Sequence, residues 1–236
     1  MNLLAVDTSS RRLSLAVKTA DGKIRQRNVI LTRVLESSMI PAVRRILDGS
    51  GLSLDKLDAL AVGLGPGSFT SLRVGLATMK GLAFAAGKPL IGIPSLDALV
   101  LGCAGLEAAQ ICTVGDAKRN MVYGCVYDVK DGGAARRSEY LLIEMKILLT
   151  RIKNDTVFAG DGADLYKDLI LAHGKKIRRR MIFAGDKSAY PQARHVLELA
   201  EEIAAKGKFS APEQIAPLYL YPDDCQVSPK PSKGKQ

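Results

Sequence analysis

Along this chain the spacing of apolar positions switches between the strand period and the helix period, in the order expected of an α/β protein. Asn2 to Val6 is a short apolar strand ending on Asp7, and Leu13 to Lys18 alternates as its hairpin partner would. Asp21-Gly22 is a dipeptide of the kind that closes a two-residue hairpin, so Lys23 to Leu31 is expected as a third antiparallel strand. Val34 to Leu47 then sets Leu35, Met39, Val43 and Ile46 at helical spacing, with Gly49 and Gly51 as stop signals beyond it. The apolar run Leu57 to Leu64 enters the turn Gly65-Pro66-Gly67. There proline fixes one φ, and two glycines are free to take positive values. Ser68, Thr70 and Ser71 are each able to cap a helix that begins near Leu72 and runs to Ala86. Its Gly75, Ala77, Gly81, Ala83, Ala85 and Ala86 let a neighbour approach the backbone closely. Strand Leu90 to Ile93 ends at Pro94.

Three meandering strands followed by helix, strand, helix and strand require parallel additions to an antiparallel meander, hence a mixed sheet with helices over it. Ser95 to Leu101 is a capped helix at a plausible boundary. A second unit then repeats the theme, with strands Ile111 to Val114 and Val122 to Tyr127 flanking a polar GDAKRN turn and another turn at Asp131 to Gly133. Tyr140 to Ile143 is a candidate strand and Glu144 to Lys153 a short helix. Thr156 to Ala159 is a buried strand running into Gly160-Asp161-Gly162-Ala163, with a helix from Asp164 to about His173. Ala193 to Lys206 places Val196, Leu199, Ala200 and Ile203 on one helical face, and a proline-punctuated tail follows. This division gives a first domain over residues 1–97, a second over 98–220 whose last helix packs back on the first, and a loosely ordered tail over 221–236.

With 236 residues, 47% hydrophobic and 25% charged, the chain is long enough for one large or two small cored domains. No apolar run reaches the roughly 20 residues of a spanning helix, and MNLLAVDTSS meets an acid too early for a signal peptide, so a cytoplasmic, membrane-free protein is expected. Cys103, Cys112, Cys125 and Cys225 lack a C-x-x-C spacing and read as reduced thiols. Against 24 acidic side chains stand 34 basic ones, a net charge of +10 that attracts polyanions such as RNA. Many of these charges lie in Lys175, Lys176 and Arg178 to Arg180 and in the tail lysines, where the competing reading is a solvated loop and a frayed end.

Asp7-Thr8-Ser9, Gly65-Pro66-Gly67-Ser68 and Gly160-Asp161-Gly162-Ala163 all fall at carboxyl ends of expected strands, where the loops of an α/β sheet converge. Amides in such turns are able to cradle phosphate, which makes Asp7, Thr8, Ser9, Gly65, Gly67, Ser68, Gly160 and Gly162 a candidate nucleotide cleft, with close packing of strand on helix as the competing use of the Gly65 to Gly67 loop. The lysine of the P-loop is absent from GPGSFTS, and no G-x-G-x-x-G follows the first strand. His173 and His195 lack metal-site spacing, so no protein-built zinc site is expected, and His195 reads as a surface imidazole. Ser68 lies outside any G-x-S-x-G elbow. Asp116, Lys118 and Arg119 either grip an anion or form a hairpin tip. The two helices of the first unit offer a different kind of site, a docking face built on closely approachable backbone, with internal packing as the competing use.

LLAVDTSS, GPGSFTSLRVGLATMKGLA, KPLIGIPSLDAL, DAKRNMVYGCVYD and APLYLYP, in this order and rough spacing, resemble the TsaB (YeaZ) family over almost the whole chain. The resemblance implies the actin-like ATPase fold, ribonuclease H-like and shared with sugar kinases, built as two related domains with a cleft between them. It implies a noncatalytic partner of TsaD, the subunit that transfers a threonylcarbamoyl group to the adenosine beside the anticodon in tRNAs reading ANN codons. Docking would use the helices at Val34 to Leu47 and Ser71 to Ala86, with Leu35, Met39, Val43, Ile46, Arg73, Val74, Ala77, Thr78 and Gly81 as candidate contacts. The same helices would support a homodimer when the chain is alone. The resemblance further implies a TsaE-type ATPase in the same assembly, tRNA engaged indirectly, no catalytic residue or metal in this chain, and no required cofactor, with weak ATP or ADP binding in the cleft allowed. TsaD's H-x-x-x-H metal motif has no counterpart here, so an older glycoprotease label carries no activity over. Many family members have a histidine and a small hydroxyl residue where this chain has Leu35-Glu36, and DTSS lacks the glycine that phosphate loops of actin-like ATPases place after the first strand. The alternatives are a nucleotide-dependent kinase or hydrolase of the actin-like superfamily and a basic RNA-binding module.

Overall fold

The structure is a computed structural model that describes residues 1–30, 35–130 and 132–221. Leu31 and Val34 at two expected element ends, Asp131 of the expected turn and the tail from Pro222 onward lie outside the described residues. The first half is a five-stranded sheet in the order β3-β2-β1-β4-β5. Its strands are β1 (Leu3–Asp7), β2 (Arg12–Lys18), β3 (Ile24–Ile30), β4 (Ala59–Gly63) and β5 (Leu90–Ile93). β1, β2 and β3 form an antiparallel meander, and β4 and β5 add in parallel. Helices α1 (Leu35–Gly49) and α2 (Phe69–Ala86) cover one face, and α7 (Ala193–Ala205) covers the other.

Side-chain size explains which helices go where. On β1 and β4 every residue is buried, because both faces are covered. Leu4, Val6, Leu60 and Val62 point to α1 and α2, where Met39, Val43, Ile46, Leu76 and Met79 meet them. Leu3, Ala5, Ala59 and Ala61 point to α7, whose own Ala193, Ala200 and Ala204 join the same cluster. A face of alanine on both sides brings helix and sheet close together.

The second half repeats the topology. Its path is β11-β10-β6-β7-β8, with β9 pairing β7. The strands are β6 (Gln110–Lys118), β7 (Met121–Lys130), β8 (Gly133–Arg136), β9 (Leu141–Glu144), β10 (Thr156–Ala159) and β11 (Met181–Phe183). An antiparallel β6-β7-β8 meander is again extended in parallel by β10 and β11. α4 (Met145–Leu149), α5 (Asp161–Leu165) and α6 (Lys167–Ile177) lie on one face, and α3 (Ser95–Leu101) packs on the other through Leu96, Leu99 and Val100. α3 also gives Ala98 to the first sheet's cluster with α7, so these two helices join the halves.

Several expected details are corrected. The Asp21-Gly22 hairpin is not a two-residue turn. Gly22 donates its amide to the Thr19 carbonyl at 2.9 Å, Thr19 donates to Lys23 at 3.0 Å, and Gly22 takes φ +86°, the three-residue turn with a left-handed glycine at its end. α2 starts at Phe69 rather than near Leu72, and no side chain caps it. The helix expected from Glu144 is confined to Met145–Leu149, and the one expected from Asp164 is split into α5 and α6. β8 and β11 were not foreseen.

Candidate functional site

The loops after β1 and β4 meet at the carboxyl ends of their strands and lock onto each other. Asp7 is fully buried. Its Oδ1 accepts the Ser9 amide at 2.9 Å and the Ser9 hydroxyl at 2.7 Å, and its Oδ2 accepts the Ser95 hydroxyl at 2.6 Å. Burial pushes its carboxyl above the ordinary range, and these three hydrogen bonds pull against that rise. Ser95 Oγ in turn accepts the Gly65 amide at 3.0 Å. Ser68 donates its amide to the Ser9 carbonyl at 2.8 Å, and a Cβ on Gly67 would stand 2.0 Å from that same oxygen. Thr8 donates its hydroxyl to the Ser71 carbonyl at 2.8 Å, and a Cβ on Gly75 would stand 2.2 Å from Thr8 Oγ1. The glycines therefore serve close contact between loop and helix, and the Gly65 and Ser68 amides are already bonded within the protein. The Asp7 carboxyl is turned inward with both oxygens bonded, so it faces the protein's own loops.

Across the chain, Gly160 takes φ +105°, donates its amide to the Ser188 carbonyl at 2.8 Å and lies so near Val114 that a Cβ would meet the Val114 carbonyl at 2.2 Å. Gly162 packs on the Val114 side chain. Asp161 Oδ1 accepts the Asp116 amide at 3.0 Å, and burial raises its carboxyl. Asp116 and Lys118 pair at a hairpin tip whose Lys118, Arg119 and Asn120 all have positive φ, so that cluster is a tip. His195 is half-buried rather than a surface group. Its Nδ1 lies 3.1 Å from the Ala98 carbonyl, linking α7 to α3, and burial lowers its pKa. His173 Nε2 lies 3.2 Å from the Ile152 carbonyl. Among the described residues no group of three or more His, Cys, Asp or Glu is placed to hold a metal, and no helix is long and apolar enough to cross a membrane. Cys103, Cys112 and Cys125 are buried free thiols, and burial raises the Cys103 pKa to about 12.

The candidate docking residues divide sharply. Leu35, Met39, Val43 and Ile46 are all buried in the chain's own core under α1, so these four are corrected from surface contacts to core residues. The outward side of α1 carries Ile40, 50% exposed, with Pro41, Arg44 and Arg45. On α2, Arg73, Ala77 and Gly81 are exposed, while Val74 and Thr78 are half-buried. Phe69 and Phe84 extend the exposed row at helical spacing, 53% and 80% exposed. Arg73 lies 3.8 Å over the Phe69 ring, and its Nε donates to the Tyr219 hydroxyl at 3.0 Å. Phe69, Phe84, Ile40 and Ser95 were missed, although the spacing of Phe69 and Phe84 on the row of Arg73, Ala77 and Gly81 is visible in the sequence.

Two matching mixed sheets, each meander extended in parallel, sandwiched by helices and joined by α3 and α7, make this an actin-like ATPase-fold protein. Component A of the (R)-2-hydroxyglutaryl-CoA dehydratase of Acidaminococcus fermentans shares the fold, with a TM-score of 0.53 at 11% identity over 87% of this chain and 99% of that one. The family model described as tRNA N6-adenosine threonylcarbamoyltransferase, TsaD, matches residues 30–224. The Escherichia coli protein named tRNA threonylcarbamoyladenosine biosynthesis protein TsaB is 30% identical over 225 residues, 93% of this chain and 94% of its own. The structure of YeaZ from Pseudomonas aeruginosa superposes with a TM-score of 0.77 at 27% identity, covering 93% of this chain and 99% of that one. The chain belongs to the TsaB (YeaZ) family.

Proposed function

We propose that this chain acts in tRNA threonylcarbamoyladenosine biosynthesis as a noncatalytic subunit, which docks a TsaD-type catalytic subunit through the outer faces of α1 and α2. The observation that carries this reading is the exposed row on α2, from Phe69 through Arg73, Ala77 and Gly81 to Phe84, beside Ile40 of α1. Phe84 in water at one end, Phe69 half-exposed beside Arg73 and Tyr219 at the other, and the small Ala77 and Gly81 between them suit a helix partner that approaches the middle and buries the rings. The inward, fully bonded Asp7 supports the absence of chemistry in this chain. A TsaE-type ATPase joins the same assembly, tRNA is presented to it chiefly by the catalytic subunit, and the same row pairs two copies when the chain is alone.

Co-purification with a TsaD-type subunit tests the docking. Ala77→Glu adds a charge to the exposed row without touching the core, so the variant should melt within about 0.5 kcal/mol of the parent and lose the partner. Retention of the partner by a folded Ala77→Glu variant overturns the assignment.

A further inference from the structure

Basic side chains from two separate stretches come together at one end of the second sheet. Arg151 and Lys153 lead into β10, Lys175 and Lys176 close α6, and Arg178 and Arg179 form the turn into β11; all are exposed. Backbone contacts hold the stretches in register. His173 on α6 touches the Ile152 carbonyl, the Arg179 amide donates to Gly174 at 3.0 Å, and the Thr156 amide donates to Arg180 at 3.0 Å. Arg180 is neutralised, its Nε 2.8 Å from Asp155 Oδ2. The other six form no ion pair among the described residues.

Helix chemistry alone does not explain the set. Lys175 and Lys176 complement the negative end of α6, which accounts for two charges. Arg178 takes φ 54°, the left-handed position where glycine ordinarily ends a helix, so the chain tolerates backbone strain there and presents a guanidinium to solvent.

We propose that this end of the second half contacts the phosphate backbone of tRNA without reading its bases. The inference deepens the proposed function by naming where the RNA touches this chain, and it takes the class of nucleic acid from that reading. Guanidinium groups on a fixed turn match phosphodiester oxygens in pairs, lysines add point charge, and the net charge of +10 favours approach.

Binding of a labelled tRNA transcript to the full chain, measured from about 50 to 200 mM salt, tests it. Log affinity should fall linearly with log salt. The combined variant Lys175→Ala, Lys176→Ala, Arg178→Gly and Arg179→Ala should lower that slope by about four, one for each phosphate no longer neutralised. Its low-salt affinity should drop by at least about tenfold. Arg178→Gly alone, at a position that suits glycine, should keep the melting temperature and lower the slope by about one. Arg25→Ala with Arg27→Ala, exposed charges on β3, should leave the slope unchanged. Equal slopes for the parent and the combined variant, no tRNA binding by the parent at low salt, or binding of phosphatidylglycerol vesicles in place of tRNA would each overturn the inference. Co-purification with the TsaD-type subunit is read in parallel. If Ala77→Glu keeps that partner while the combined variant loses tRNA, the docking assignment falls and this one stands.

Discussion

At the scale of single residues the loop junction is the most constrained part of the molecule. Asp7 is held by Ser9 and Ser95 but lies out of water, and burial is the larger influence on its carboxyl. A carboxyl raised in the folded state contributes most to stability at low pH and loses that contribution as pH rises through the carboxylate range to its raised value. Asp7→Asn removes this dependence. The difference in melting temperature between variant and parent should therefore move in the variant's favour as pH rises above about 4, since the unfolded Asp titrates near 3.9. A difference that is flat with pH would show that Asp7 is not raised. At Gly75, where a Cβ would stand 2.2 Å from Thr8 Oγ1, an added methyl forces loop and helix apart. Gly75→Ala should cost about 1–3 kcal/mol, read as a lower denaturation midpoint.

At the scale of elements, α1 and α2 use their faces in opposite ways. The apolar stripe of α1 is committed to the sheet, so Val43→Glu puts a charge into the core. It should destabilise the fold by on the order of 3 kcal/mol. For a chain of this length that is a fall of roughly 6–12 °C in melting temperature. Lost partner binding in that variant would report unfolding, which is why Ala77→Glu is the informative substitution. α7 is the reverse case, a helix that sits close because both surfaces are small. Ala200 is fully buried against the alanine face of β1 and β4, and Ala200→Leu should overpack it by about 1–3 kcal/mol, measured by denaturant unfolding.

At the scale of the whole molecule, two copies of one sheet topology carry loops that are locked internally. Titration with ATP and magnesium is accordingly expected to show binding weaker than micromolar and no turnover; micromolar binding with hydrolysis would replace the subunit reading with an enzyme. The α/β order, the mixed sheets and the pairing of halves were legible because buried central strands, glycine stops and helical spacing are local signals. β8 was not legible, since Gly133-Ala134-Ala135-Arg136 is exposed throughout and has no apolar alternation. β11 was missed because it is a half-buried edge strand of only three residues. The sequence by itself determined that α1 has one apolar stripe and that Gly65, Gly67 and Gly75 permit close approach. Only the tertiary structure decided that the stripe belongs to the chain's own core, that the approach is between its own loops and helix, and that α2 keeps the row from Phe69 to Phe84 exposed. An apolar face has the same spacing whether it meets its own sheet or a partner, and the choice is made by which surfaces the rest of the chain has already covered.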